Sequence, residues 1–203
     1  MDTKIMNHCR LLTVTFRSSR LLFPLAACFL CVSSAASAAG AATGPAVGSF
    51  APDFKVHNAV TGENTLLSSQ RGKVVILTFW ASWCTPCRRE LPILEKAQHV
   101  VGKDNLIVFA VSYRDTAAAA AAIKKLASTW QINVIEDHNG WIASRYSISA
   151  IPHLFMIGRD GKVVANHLGY GDRTINELVA DINHALAEPK PVNQDVPPAA
   201  SIE

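Results

Sequence analysis

The run Val74-Val75-Ile76-Leu77-Thr78-Phe79-Trp80, continued by Ala81-Ser82-Trp83-Cys84-Thr85-Pro86-Cys87-Arg88-Arg89-Glu90-Leu91-Pro92, decides the fold. Its first half is almost continuously apolar, β-branched or aromatic, the pattern of a central strand buried on both faces. Its second half opens a segment from Thr85 to Val101 with Leu91, Leu94 and Ala97 at helical spacing. Two cysteines sit at the junction. Cys84 is expected to end the strand and Cys87 to lie in the first helical turn. Free backbone N–H groups and the positive end of the helix dipole favour a thiolate there. Thiolates are the attacking species, and a C-x-x-C context lowers the thiol pKa from about 8.5 to about 7 or below. Thr85-Pro86 can begin the helix, because the N–H that proline lacks would be unpaired there anyway. Cys84 is therefore expected to be the exposed nucleophile and Cys87 the resolving thiol.

Outward from this junction the pattern alternates. Upstream, Phe54-Lys55-Val56 and Thr65-Leu66-Leu67 flank a Thr61-Gly62 turn and predict a short hairpin. Downstream, Leu106 to Ser112 reads as a second buried strand and Thr116 to Thr129 as an alanine-rich helix. A short strand is predicted over Asn133 to Ile135 and a short helix over Trp141 to Tyr146. His153 to Ile157 and Val163 to Leu168 are strands joined by the turn Arg159-Asp160-Gly161-Lys162. Thr174-Ile175-Asn176-Glu177 has the form of a capping box opening a last helix to about Ala187. Strand, helix, strand, helix and a closing antiparallel pair predict an α/β sandwich with a mixed central sheet flanked by helices and an N-terminal hairpin extension.

Composition limits the function classes. Of 19 basic and 16 acidic residues, Lys4, Arg10, Arg17, Arg20 and Asp2 fall in residues 1–38. The remaining body is electrically balanced, so nucleic acid is not expected as a partner. Of the five cysteines, Cys9, Cys28 and Cys31 lie in that leader, and only Cys84 and Cys87 in the body. Such a body has no structural disulfide framework. A zinc site needs four ligands, and His99, His138, His153, His167 and His184 show no paired spacing. No metal or cofactor is expected.

The leader has basic residues to Arg20, an apolar stretch from Leu21 to Val32 and the small residues Ala36-Ser37-Ala38. That is the form of a cleaved secretory signal peptide, with Met6 an alternative start. Two other readings stand beside it. Leu25-Ala26-Ala27-Cys28 is like a lipoprotein box with Cys28 lipidated, and the charge-free stretch Leu21 to Ala39 approaches the length of a membrane anchor. All three place the body outside the cytoplasm, in the periplasm or tethered to the outer side of the inner membrane. The organisation expected is thus a leader over 1–38, a linker over 39–49, a domain over 50–187 and a Pro-rich, disordered tail over 188–203.

Phe79 to Pro92 resembles the active site of the thioredoxin superfamily, and more narrowly the extracytoplasmic TlpA/ResA group of thiol–disulfide oxidoreductases. Ala51-Pro52-Asp53-Phe54 is similar to that group, as are Ser149-Ala150-Ile151-Pro152-His153-Leu154-Phe155-Met156-Ile157 and Asp160-Gly161-Lys162. The likeness covers roughly residues 48–187 and implies a thioredoxin-like fold with Cys84 and Cys87 as a redox-active disulfide. It implies substrate contacts at Trp83, Thr85, Pro86, Ile151 and Pro152, with the Ile151–Pro152 bond cis, while Trp83 as a merely packed aromatic stays open. Pro92 would kink the helix by removing a bond to the Arg88 carbonyl. Relatives of cytoplasmic type carry a buried Asp where this chain has Thr78. Glu90, three residues after Cys87, is at the spacing at which the resembled group carries a Glu, and positions three apart share a helix face. Glu90 is therefore expected to be the proton acceptor of the thiol pair, the alternative being an exposed side chain paired with a neighbouring cation.

The function expected is an extracytoplasmic enzyme that reduces disulfides in partner proteins, for example cytochrome c or copper-site apoproteins, recharged by a membrane electron-donor thiol protein. A copper or metalloprotein-assembly chaperone holding Cu(I) through Cys84 and Cys87, with or without His153, is the alternative. Thiol peroxidase is disfavoured, because no P-x-x-x-T-x-x-C pattern precedes Cys84.

Overall fold

The computed structural model describes residues 44–59 and 61–191. The leader and most of the expected tail lie outside the described residues. Chain order gives strands β1 (Lys55–His57) and β2 (Asn64–Leu66), a 3-10 turn (Leu67–Gln70), β3 (Val74–Trp80), helix α1 (Thr85–Val101), β4 (Leu106–Ser112), α2 (Ala117–Ala127), β5 (Asn133–Glu136), α3 (Trp141–Arg145), β6 (His153–Ile157), β7 (Val163–Leu168) and α4 (Asp172–Ala187).

Five strands form one sheet in the order β5-β4-β3-β6-β7, and β1-β2 is a separate antiparallel hairpin. β3 runs parallel to β4 from Val74↔Leu106 to Trp80↔Ser112 and antiparallel to β6 from Val75↔Ile157 to Phe79↔His153. All seven β3 residues are buried, as expected of a strand paired on both edges and covered on both faces. Its side chains alternate between two cores. Val74, Ile76 and Trp80 pack with Leu91 and Leu94 of α1, Ile123 and Ala127 of α2 and Leu178 and Ile182 of α4. Val75, Leu77 and Phe79 pack with Phe54, Leu67, Tyr146 and Phe155.

The elements match the expected sandwich, with differences that have local causes. α4 begins at Asp172 behind Gly171, without a side-chain cap. The capping box at Thr174–Glu177 is therefore not used as one; both residues already lie inside the helix. α3 is held instead by Asp137, whose carboxylate accepts the N–H groups of Ile142 (3.1 Å) and Ala143 (2.8 Å). Residues 44–49, expected to belong to a flexible linker, lie along the sheet. The Gly48 N–H donates to Val163 O (2.8 Å) and the Val163 N–H to Ser49 O (2.9 Å). Gly44, at φ +90°, comes so close to the Tyr146 carbonyl and the Phe155 ring that a Cβ would overlap both.

This docking is testable by substitution. Gly48 shares the left-handed backbone (φ +89°) but has open space around it. Gly48→Ala should cost about 1 kcal/mol, from backbone strain alone. Gly44→Ala should cost clearly more, about 2–4 kcal/mol, because overpacking adds to the strain. Denaturant midpoints of the two variants check this; equal losses would mean that Gly44 does not dock.

Candidate active site

β3 ends at Trp80, and the chain turns before α1 begins. The Cys84 N–H donates to Ala81 O (3.0 Å), closing a turn, and the Tyr113 N–H donates to Trp80 O (2.7 Å), carrying the β3–β4 pairing just past the strand. Cys84 therefore does not end the strand as expected. It is the N-cap of α1, and its Sγ accepts the Cys87 N–H (3.3 Å). The placement of Cys87 in the first turn is as expected, and Cys84 and Cys87 form a disulfide. Cys87 is wholly buried and Cys84 is only 5 % exposed. Contrary to the expected exposed nucleophile, Cys84 is buried in this disulfide form, because its sulfur is tied to Cys87 and belongs to the core cluster that includes Trp80 and Leu91, though it remains the less buried of the two. Trp83, Thr85 and Pro86 are exposed around it, Trp83 at 61 %. Arg88 and Arg89 are also exposed.

Glu90 is buried, one turn beyond Cys87. Its carboxylate Oε2 accepts a hydrogen bond from Thr78 Oγ1 (2.8 Å). Desolvation dominates and raises its pKa from 4.5 to about 7, while the Thr78 bond pulls the other way. The alternative of a solvated Glu90 is thus excluded. Thr78, read from sequence only as the place where a base is missing, is the partner of the base candidate; a threonine facing a helix 12 residues later leaves no sequence signal.

The Ile151–Pro152 bond is cis. Pro152 immediately precedes His153, which is opposite Phe79 in the sheet, so this bond lies at the same end of the sheet as the cysteine turn. Pro152 is buried, Ile151 is partly buried against both cores, and the Gly169 N–H donates to Pro152 O (2.8 Å). His153 is turned to the other core. It stacks on Phe155 with ring centroids 4.6 Å apart, and its Nε2 is 2.7 Å from Asn166 Oδ1. Burial lowers its pKa, opposed by the Asn166 bond. Among the described residues no group of three or more His, Cys, Asp and Glu is placed to hold a metal ion, so the structure does not gather His153 with the two sulfurs. A residue that sequence reading passed over lies against the cysteine turn. Asp115 accepts the Ser82 N–H (3.1 Å to either oxygen) and the Ser82 hydroxyl (2.6 Å).

The Cys84–Cys87 disulfide thus lies at the start of α1 behind buried β3, with the cis Ile151–Pro152 bond at the same end of the sheet. The Redoxin family model matches residues 46–185. The chain belongs to the Redoxin family. It is 32% identical over 124 residues to the thioredoxin-like protein YneN of Bacillus subtilis, covering 60% of this chain and 71% of that protein. It is 32% identical over 123 residues to the thiol-disulfide oxidoreductase ResA of Geobacillus kaustophilus, covering 60% and 68%. Among solved structures it is similar to a Chlorobium tepidum protein named as the thiol:disulfide interchange protein DsbE, with TM-score 0.64, 31% identity, 70% of this chain and 99% of that one covered. This Redoxin chain is a thiol–disulfide oxidoreductase of thioredoxin-like fold.

Burial of Glu90 has a measurable consequence. Its folded pKa lies above its unfolded value, so the folded state holds its proton more tightly and the stabilisation is fully present below pH 4.5. It is lost as pH rises towards about 7. The loss is on the order of 3 kcal/mol. Denaturant titrations of the oxidised protein at a series of pH values should show this decline, and Glu90→Gln should remove it. A wild-type slope that persists in the Gln variant would assign it to another group.

Proposed function

We propose that the chain is an extracytoplasmic reductant of disulfides in partner proteins. The observation that carries the mechanism is the Cys84–Cys87 pair at the N-terminus of α1, with a buried carboxyl group of near-neutral pKa one turn away. In the reduced protein, the helix N-terminus favours the Cys84 thiolate. That thiolate attacks a substrate disulfide, forming a mixed disulfide and releasing one substrate thiolate. Glu90 accepts the proton of Cys87. The Cys87 thiolate then attacks the Cys84 sulfur, releasing the second substrate thiolate and leaving the Cys84–Cys87 disulfide. A pKa of about 7 suits Glu90 to exchange a proton with a thiol near neutral pH.

Exposed Trp83, Thr85 and Pro86 would border the substrate, and the backbone of Ile151 before Pro152 would pair with an extended substrate segment, giving affinity with little side-chain selectivity. The reducing direction rests on Pro86, whose place between the cysteines resembles that of reducing thioredoxins. Substrates such as cytochrome c or copper-site apoproteins, a membrane thiol protein as electron donor, and delivery by the 1–38 leader as a cleaved signal peptide or tether complete the proposal. Among the described residues no helix is long and apolar enough to cross a membrane.

Variants at the two cysteines separate the roles. Cys84→Ser should abolish disulfide reduction, and Cys87→Ser should accumulate mixed disulfides through Cys84, read by mass spectrometry. Trapping by Cys84→Ser instead would reverse the assignment. Glu90→Gln should form mixed disulfide at the normal rate but resolve it roughly ten- to a hundredfold more slowly. A potential near about −270 mV is expected, and one near about −120 mV would make the enzyme an oxidant.

A further inference from the structure

The loop after β4, Tyr113-Arg114-Asp115-Thr116, is turned back against the segment that leads into Cys84. Asp115 contributes its whole carboxylate to this contact. The Ser82 N–H lies 3.1 Å from both oxygens, Ser82 Oγ donates to Oδ1 at 2.6 Å, and Ser112 Oγ at the end of β4 donates to Oδ2 at 3.0 Å. Ser82 is two residues before Cys84 and inside the turn closed by the Cys84 N–H on Ala81 O. The carboxylate thus ties the cysteine turn to the end of the neighbouring strand. Arg114, immediately before it, is at φ +53°, a left-handed backbone that a non-glycine side chain resists. Such conformations persist where the surroundings over-determine them, and they collect near functional sites.

Other charged groups near Asp115 have partners of their own, and the Arg114 guanidinium lies over the Tyr113 ring. His138 Nε2 pairs with Glu136 (2.9 Å), and Asp137 holds the start of α3. Asp115 is the acid of this group that is bonded to the cysteine turn. We infer that Asp115 is a positioning residue of the enzyme: through Ser82 it fixes the Ala81–Cys84 turn so that the Cys84 sulfur meets a substrate disulfide in line. The role is exerted through hydrogen bonds rather than through charge. It rests on Cys84 as the attacking thiol. Misplacing a nucleophile by a fraction of its reach is costly in rate even when the chemistry of the group is unchanged.

The test uses the full chain in a Cys87→Ser background, reduced, with a chromogenic aromatic disulfide in excess. Attack by Cys84 forms a mixed disulfide and releases one coloured thiolate, so a single step is read. Asp115→Ala should slow this step about tenfold. Asp115→Asn, which keeps an oxygen acceptor for Ser82, should stay within about threefold of wild type. Ser82→Ala removes only the hydroxyl bond and should fall between them; combined with Asp115→Ala it should add little, because both act through one contact. A wild-type rate in Asp115→Ala overturns the proposal, and so does an Asn variant as slow as the Ala variant, which would assign the effect to charge. Should Asp115→Ala not fold, an unchanged rate in Ser82→Ala overturns it equally. No mixed disulfide with Asp115 intact would instead defeat the Cys84 reading, and this proposal with it.

Discussion

β3 is the constraint on which the rest of the structure depends. It is buried on both faces and hydrogen-bonded on both edges. Every main-chain polar group of such a strand must find its partner in a neighbouring strand, since no water reaches it. Parallel β4 and antiparallel β6 supply those partners, and their directions are therefore fixed relative to β3. The end of β3, the end of β4 and the start of β6 consequently meet at one end of the sheet. The cysteine turn, the Asp115 loop and the cis Ile151–Pro152 bond are attached to those three points. The site thus lies outside the carboxyl end of the central parallel pair, where open α/β sheets commonly bind their ligands.

The same burial tunes the chemistry. Thr78 faces the α1 side of β3, between Ile76 and Trp80, so the carboxyl group of Glu90 is buried there and accepts a hydrogen bond from the Thr78 hydroxyl. An ionised carboxylate is penalised there and the proton is retained to about neutral pH. An aspartate at position 78 would place a second acid beside Glu90; threonine gives the helix carboxyl a donor instead. On the opposite face, His153 is also desolvated, but burial drives an imidazole the other way, towards its neutral form. Two ionisable groups near one end of the sheet are thus both biased to be uncharged by the same physical cause.

Much of this was legible beforehand because the signals are local. A seven-residue run that is apolar apart from Thr78 marks β3, and helical spacing of Leu91 and Leu94 marks the buried face of α1. The bounds of α1, β4, β6 and β7 agree with their expected ends. Where reading failed, the sequence pattern allowed a second local geometry or the deciding partner was far along the chain. The Thr174–Glu177 pattern has the right letters for a cap, but the helix starts earlier. The segment 44–49 has a linker composition, yet glycine at 44 allows close approach to Tyr146 and Phe155, about a hundred residues later. Cys84 lies in a turn rather than at the end of a strand, since its N–H bonds to Ala81 O and its Sγ accepts the Cys87 N–H as the cap of α1.

The sequence by itself determined the order of strands and helices, the C-x-x-C motif at a helix start and the absence of any other cysteine from the body, because periodicity and spacing are properties of neighbouring residues. Only the tertiary structure decided that Glu90 is buried on Thr78, that His153 turns away from the sulfurs, and that Asp115 reaches Ser82 across 33 positions. Desolvation and side-chain hydrogen bonds depend on what the fold brings within about 3 Å, and no local pattern encodes that.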